Sequence, residues 1–327
     1  MRFGPWLLAA WSVLAACQSA TPSVRSKPVS SSLPFIASMS RVPVLDSQIA
    51  FRELGAGSPI VLLHGNPLSS RVWRDVMPAL GAHGRILAPD LIGMGDSGKP
   101  DVAYSFADHA RYLEAWLDAA CAGDLVLVGY DWGGALAMDF AARHPERVRG
   151  LVVFETFLRP MSWSEWSPQG AELFRALRTP EKGEQMALET NQFLARSLRN
   201  GIARTLTQDE LEPYYAPYPD RESRRPLLRW TREIPIDGEP ADVQAVVTRY
   251  DDWLATSTGV PKLLLAFDPP PERQPSPTGS SAMVEWARSH VANLEIERVG
   301  IAGHHATEDL PGPVAAAITA WLERHKL

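Results

Sequence analysis

The sequence predicts an α/β fold in which helices cover both faces of a mostly parallel, doubly wound β-sheet. Apolar runs of five or six residues alternate along the chain with longer stretches of helical periodicity, which is the pattern of a parallel sheet with crossover helices. Most of these runs are apolar throughout, as strands are when both faces of a sheet are covered. The predicted strands are residues 59–63, 85–89, 124–129, 150–154, 262–266 and 294–299.

The third predicted strand leads into a sharp turn, Gly129-Tyr-Asp-Trp-Gly133, and a predicted helix over 133–144 that ends at Pro145. Glycines on both sides of Asp131 are typical of an elbow that exposes one side chain above the sheet. A carboxylate that attacks a saturated carbon leaves an ester, which water can cleave, whereas a serine would leave an ether. The elbow therefore predicts displacement at an alkyl carbon. In the alternative interpretation Asp131 only caps the helix, because Asp favours helix N-termini.

The alternation of strand and helix stops between residues 159 and 238. This stretch has helical periodicity and sits between two predicted core strands, so we expect a helical cap over the carboxyl ends of the strands, where α/β sheets bind ligands. A proline-rich segment, 268–277, follows the next strand, and the sequence predicts no structure for it. The helical segments expected in the cap are 171–177, 185–198 and 208–215.

Length and composition are those of one large domain with a sizeable core. The chain has 327 residues, of which 45% are hydrophobic and 21% charged. The net charge of −6, without a basic cluster, excludes nucleic acid as an expected partner. Of the two cysteines, Cys121 is expected to be a buried thiol without a disulfide partner.

The N-terminus predicts export. Residues 3–16 carry no charge and are mostly apolar, but the run is too short to span a bilayer and resembles a signal-peptide core. Because it ends in Leu-Ala-Ala-Cys17, residues 1–17 resemble a bacterial lipoprotein signal in which Cys17 is lipidated; a misassigned start or a short buried helix are the alternatives. The Ser/Pro-rich residues 18–40 suit a flexible tether. We therefore expect a lipid-anchored periplasmic or secreted protein whose only membrane contact is through Cys17.

The chain carries six motifs in the order His64-Gly-Asn-Pro67, Ala88-Pro-Asp-Leu-Ile-Gly-Met-Gly-Asp-Ser97, Gly129-Tyr-Asp-Trp-Gly133, Phe154-Glu-Thr-Phe-Leu-Arg-Pro160, Glu233-Ile-Pro-Ile-Asp-Gly-Glu-Pro240 and His304. Together they resemble haloalkane dehalogenases of the α/β-hydrolase superfamily, over about residues 41–325. The resemblance implies an α/β-hydrolase core of residues 41–158 and 239–327. It also implies a helical cap of residues 159–238, inserted after the sixth strand of the family's fold.

The same resemblance implies hydrolysis of a small apolar haloalkane to an alcohol and a halide ion, by a monomer without metal or organic cofactor. It assigns Asp131 as the nucleophile, His304 as the base and Glu155 as the acid that orients the base. Other branches of the family place an Asp after the following strand, so Asp268 stays open as an alternative acid. Asn66 and Trp132 match the halide-binding pair, and the backbone N–H groups near them would form the oxyanion hole.

Several residues compete for these roles. His305 adjoins His304, but Glu308 and Asp309 lie at the family's spacing from His304 and not from His305. His64 follows a strand and is expected to be structural. The expected place of His83, His109, His144, His290 and His325 is in solvent or at helix ends.

Three other functions stay open from the sequence. An epoxide hydrolase shares the Asp nucleophile and uses cap tyrosines as acids, for which Tyr214, Tyr215 and Tyr218 are candidates. Epoxide hydrolases usually carry a bulky apolar residue at the position of Asn66, which favours the dehalogenase. A luciferase-like monooxygenase is a more distant relative on the same scaffold. A binding module without activity is the third possibility, although nucleophile, base, acid and both halide donors are all present.

Overall fold

The structure, a computed structural model, describes residues 37–327. Within this part of the chain eight strands form one sheet in the order β1-β2-β4-β3-β5-β6-β7-β8. β2 pairs antiparallel with β1 and β4, and all other pairs are parallel. The strands are β1 Ser38–Val44, β2 Ser47–Gly55, β3 Pro59–Leu63, β4 Arg85–Pro89, β5 Leu125–Tyr130, β6 Val148–Phe154, β7 Lys262–Asp268 and β8 Leu294–Ile301.

The six predicted strands are β3 to β8, and they lie where the apolar runs placed them. β3 and β5 are buried along their whole length, which explains why their sequences do not alternate. β1 begins at Ser38, where the tether predicted for 18–40 was expected to continue; Ser38 pairs with Glu53 of β2 instead. All residues of this edge strand except Val44 are exposed or half-exposed, so its sequence lacks the apolar run that marks the inner strands.

Helices cover the sheet and build the cap. α4 to α8 lie between β6 and β7, so the cap is inserted after the sixth strand as expected. The helices are α1 Met77–Leu80, α2 Phe106–Ala120, α3 Trp132–Arg143, α4 Pro168–Arg178, α5 Lys182–Glu184, α6 Gln192–Gly201, α7 Gln208–Tyr215, α8 Arg225–Glu233, α9 Ala241–Thr256, α10 Ser281–His290, α11 Ala306–Asp309 and α12 Pro311–His325.

One cap helix differs from its prediction. Residues 185–198 do not form a continuous helix, because a π-helical turn, Gln185–Glu189, precedes α6. Asn191 between them has φ = 51°, a left-handed conformation that ends a helix. Asn adopts this conformation more readily than most residues do, so the break has a local cause.

Two buried side chains bear on the sequence predictions. Cys121 is a free, buried thiol, and burial raises its pKa to about 12. His109, expected in solvent or at a helix end, lies in the first turn of α2 but is only 1% exposed. Its ring stacks on Trp230 of the cap at 4.1 Å between ring centroids, a long-range contact that local sequence does not reveal.

No helix within residues 37–327 is both long and apolar enough to cross a membrane. The predicted signal, Cys17 and most of the tether lie outside the described residues.

Candidate active site

Asp131 lies at the turn between β5 and α3 with φ = 51° and ψ = −130°. This positive φ is rare for a residue with a side chain, and such strain is concentrated at functional sites. The neighbouring glycines allow the turn, since a Cβ on Gly133 would lie 2.3 Å from the Leu63 carbonyl oxygen and one on Gly129 would lie 2.5 Å from the Gly133 oxygen. The sequence pattern of the elbow therefore has a steric cause at both glycines.

The two carboxylate oxygens of Asp131 have different surroundings. Oδ1 accepts a hydrogen bond of 2.7 Å from the Asn66 backbone N–H. Oδ2 lies 3.5 Å from Nε2 of His304. Gly65 makes room for this arrangement, because a Cβ there would lie 2.3 Å from Oδ1. One oxygen is thus held by the backbone, and the other faces the imidazole.

His304 bridges the two carboxylates. Its Nδ1 lies 3.0 Å from Oε2 of Glu155, which is buried at the end of β6 with φ = 47°. Asp268 is exposed, and its Oδ1 accepts a hydrogen bond of 2.9 Å from Arg298. The geometry therefore brings Glu155, and not Asp268, to the imidazole.

The proline-rich segment after β7 holds this acid. Ser276 donates a hydrogen bond to Glu155 Oε2, and the Thr278 hydroxyl lies 3.4 Å from the same atom. Gly279 packs so closely that a Cβ there would lie 1.6 Å from Glu155 Oε1. Sequence reasoning missed these three residues, and only their position just after the Asp268 candidate could have drawn attention to them.

The charge of the imidazole depends on its two carboxylate partners. Burial lowers the pKa of His304, but hydrogen bonds and charge from Asp131 and Glu155 outweigh burial and raise the pKa to about 10. His304 is therefore protonated at neutral pH. Any change that removes the charge of Asp131 lowers this pKa.

The other histidines near the site have separate roles. His64 accepts a hydrogen bond of 2.9 Å from the Leu91 N–H and is fully buried, which agrees with a structural role. His305 points away from Asp131 towards Ser197 and Tyr130. Asp309 accepts a hydrogen bond of 2.8 Å from the Gly303 N–H, and so fixes the loop that carries His304.

A cavity of about 220 Å³ lies above Asp131, between the sheet and the cap. Asn66 and Trp132 both line it. The Asn66 side-chain amide donates one N–H to the Leu227 carbonyl at 3.1 Å, which leaves its second N–H for another acceptor. Trp132 is held by stacking on Trp230 at 4.3 Å between ring centroids. Apolar walls come from Leu173, Phe174, Phe193 and Ile234.

The three cap tyrosines do not line this cavity. Tyr214 is buried and donates a hydrogen bond to Glu308, and Tyr218 is buried elsewhere in the cap. Protonation of an epoxide oxygen needs such a hydroxyl at the reacting atoms, so the geometry does not favour the epoxide hydrolase. Among residues 37–327, no group of three or more His, Cys, Asp or Glu side chains could hold a metal ion.

The fold and this arrangement define the class of protein. A mostly parallel sheet, a cap after β6, an elbow after β5 that carries Asp131 and a loop after β8 that carries His304 define the α/β-hydrolase fold. The family model for the alpha/beta hydrolase fold matches residues 58–239.

Similarity to curated proteins narrows the class to one family. A haloalkane dehalogenase of Mesorhizobium japonicum is 45% identical over 287 residues, which cover 86% of this chain and 90% of the relative. One from Bradyrhizobium diazoefficiens is 41% identical over 89% of this chain and 96% of its own. The chain belongs to the haloalkane dehalogenases, hydrolases that act on carbon–halide bonds.

Solved structures agree. Haloalkane dehalogenase DbeA from Bradyrhizobium elkani matches with a TM-score of 0.84 and 40% identity, over 89% of this chain and 99% of that one. Haloalkane dehalogenase DatA from Agrobacterium tumefaciens matches with a TM-score of 0.83 and 38% identity, over 88% and 97%.

Proposed function

We propose that this protein hydrolyses haloalkanes to alcohol and halide through an alkyl ester on Asp131. Oδ2 of Asp131 attacks the carbon that bears the halogen, and the carbon–halogen bond breaks with its electron pair passing to the halide. The free N–H of Asn66 and the indole N–H of Trp132 stabilise the departing anion. The apolar cavity walls hold the alkyl chain.

Water then cleaves the ester at the carboxyl carbon of Asp131. Esterification removes the charge of Asp131, so it removes a cause of the raised pKa of His304 and allows the imidazole to release its proton to solvent. Neutral His304 accepts a proton from the attacking water, and Glu155 stabilises the imidazolium that forms. The bond between the carboxyl carbon and Oδ2 then breaks, and the alcohol leaves with Oδ2 and with the proton that the imidazolium returns. The Asn66 backbone N–H, already bonded to Oδ1, stabilises the negative charge on that oxygen.

The observation that carries this proposal is the position of His304, with Nε2 facing Asp131 and Nδ1 on Glu155, beside a cavity lined by Asn66 and Trp132. The test is bromide release from 1-bromobutane and 1-bromohexane by the wild type and by Asp131→Asn. We expect release by the wild type and a loss of at least about 10³-fold in the variant. Absence of release by the wild type would overturn the proposal.

Mass spectrometry of His304→Phe tests the intermediate. Without its base the enzyme forms the ester and cannot cleave it, so the protein gains the mass of one alkyl group on the peptide that contains Asp131. Unmodified protein after incubation with a substrate that the wild type converts would contradict the ester. Multiple turnovers of the wild type in ¹⁸O-water should also place label in the Asp131 carboxylate.

We further propose that residues 1–17 are a lipoprotein signal, that Cys17 carries the lipid, and that the enzyme works as a monomer in the cell envelope. The uncharged segment that ends at Cys17 and the Ser/Pro-rich stretch after it support this. Expression with radiolabelled palmitate should label the wild type and not Cys17→Ser. Equal labelling of both proteins would exclude Cys17 as the lipid site, and light scattering of the purified enzyme measures its mass.

A further inference from the structure

One face of helix α6 turns from apolar to polar along the wall of the catalytic cavity. Phe193, Arg196, Ser197 and Asn200 all line the cavity. Their spacings of three and four residues place them on one side of a helix. A haloalkane without a polar group needs only the apolar end of this face, so the polar end has no role in the proposed reaction.

Ser197 is held in one orientation by a buried relay. Its Oγ lies 2.9 Å from Nε2 of His305, and Nδ1 of His305 lies 3.3 Å from the hydroxyl of Tyr130. Both rings are fully buried. Burial, with the nearby charge of His304, keeps the pKa of His305 well below its ordinary value, so the ring is neutral and carries one N–H.

Hydrogen-bond satisfaction decides which nitrogen carries that proton. The buried Tyr130 O–H has no acceptor in the described residues other than His305 Nδ1, so it donates there. Nε2 then carries the N–H and donates it to Ser197 Oγ. Because this oxygen is an acceptor, the Ser197 proton is left for a partner in the cavity, and the described part of the chain supplies none.

Arg196 places a positive charge beside this donor. It is exposed, it lines the same cavity, and no carboxylate within residues 37–327 pairs with it. Other cap arginines, such as Arg204 and Arg232, form ion pairs with Glu308 and Glu184. The carboxylates Asp131 and Glu155 repel an anionic group on the substrate, and this repulsion falls as that group lies further along the alkyl chain from the reacting carbon.

We propose that Ser197 and Arg196 bind an oxygen acceptor at the far end of the substrate, and that ω-halogenated carboxylates are a preferred substrate class of this enzyme. This rests on the proposed dehalogenation. Ser197 donates to one carboxylate oxygen, and Arg196 supplies attraction at the cavity mouth.

The test compares kcat/KM for 6-bromohexanoate with that for 1-bromohexane, so that a general loss of activity cancels in the ratio. Ser197→Ala should lower the ratio by about tenfold or more, as expected for a hydrogen bond to a charged group. Arg196→Gln should lower it by about two- to fivefold, because an exposed ion pair is weak. Ser197→Thr, which keeps the hydroxyl, should restore most of the ratio.

Two controls separate the contributions. Arg199→Gln removes an exposed arginine of the same helix that does not line the cavity, and the ratio should stay at the wild-type value. Methyl 6-bromohexanoate keeps the acceptor without the charge, so Ser197→Ala should lower its ratio and Arg196→Gln should not. The proposal is overturned if Ser197→Ala and Arg196→Gln leave the ratio for 6-bromohexanoate unchanged, or if Arg199→Gln lowers it as much as Arg196→Gln.

Binding of hexanoate, which has no halogen, separates this inference from the proposed function. Calorimetry should show weaker hexanoate binding to Ser197→Ala and Arg196→Gln than to the wild type and Arg199→Gln. Equal binding to all four proteins overturns the inference. Absence of bromide release from 1-bromohexane, together with this binding difference, overturns the dehalogenation and leaves the acceptor site in place.

Discussion

The floor of the catalytic cavity, which carries Asp131, Glu155 and His304, and the wall that α6 forms are built in different ways. On the floor, backbone conformation sets the position of each group. Asp131 and Glu155 both have positive φ, and the atoms around Gly65 and Gly133 leave no room for a side chain at either position. On the wall, side chains on one face of a helix decide what meets the substrate. We therefore expect the chemistry to tolerate few changes, whereas single substitutions on α6 should change selectivity.

The largest effect of a side chain that does not itself react with the substrate is expected at the acid. Glu155→Gln removes the charge that stabilises the His304 imidazolium and should lower kcat by at least about 10³-fold. Asp268→Asn is the matched control, because Asp268 is exposed and bonded to Arg298. It should change kcat less than about twofold, within the range of a surface substitution. Steady-state bromide release measures both losses. A larger loss in Asp268→Asn than in Glu155→Gln would identify Asp268, at the end of β7, as the acid.

Trp132→Phe should have the next largest effect. It keeps an aromatic ring against Trp230 but removes the indole N–H, and loss of one donor to developing charge costs about 10²–10³-fold in kcat. Halide binding, followed by tryptophan fluorescence, should weaken in parallel. A variant that loses halide affinity but keeps kcat would show that the indole binds product without assisting its departure.

Most of the floor could be predicted from the sequence because its signals are local. The elbow glycines lie within two residues of Asp131, and Glu308 and Asp309 lie close to His304. The contacts of the α6 wall and of the loop that holds Glu155 could not be predicted, because they join residues that are distant in sequence. Ser276 and Glu155 are 121 residues apart, and Ser197 and His305 are 108 apart. No periodicity within one segment encodes such a pair.

The pKa of His304 gives a smaller but direct test of the floor. Asp131→Asn mimics the uncharged ester and should lower this pKa from about 10 by about two units, as loss of a close opposite charge does. NMR titration of the imidazole in the wild type and in Asp131→Asn measures it. An unchanged pKa would mean that esterification does not release the base.

The raised pKa of His304 also makes the free energy of unfolding depend on pH. Since folding raises the pKa of His304, its protonated form stabilises the native state fully below about pH 6.5, and this contribution is lost as the pH rises towards 10. Urea denaturation of the wild type between pH 6.5 and 10 should show this loss, and Asp131→Asn should show less of it.

The smallest expected effect is at the loop that supports the acid. Ser276→Ala removes one hydrogen bond to Glu155 but leaves the bond between Glu155 and His304, so kcat should fall about tenfold or less. KM for 1-bromohexane should stay near the wild-type value, because Ser276 does not line the cavity. If Ser276→Ala lost as much kcat as Glu155→Gln, the Ser276 hydroxyl by itself would set the position of the Glu155 carboxylate.

The partners of the acid–base contact, Glu155 and His304, are separated by 149 residues, and the histidine follows the last strand to join the sheet. A chain emerging from the ribosome therefore holds Asp131, the proposed nucleophile, long before it holds His304, the proposed base. On the proposed mechanism, a polypeptide that ends anywhere before β8 should be incapable of turnover. Two separately expressed pieces, divided after residue 280, would recover activity only by reassembling the sheet, which makes bromide production a reporter of fragment complementation.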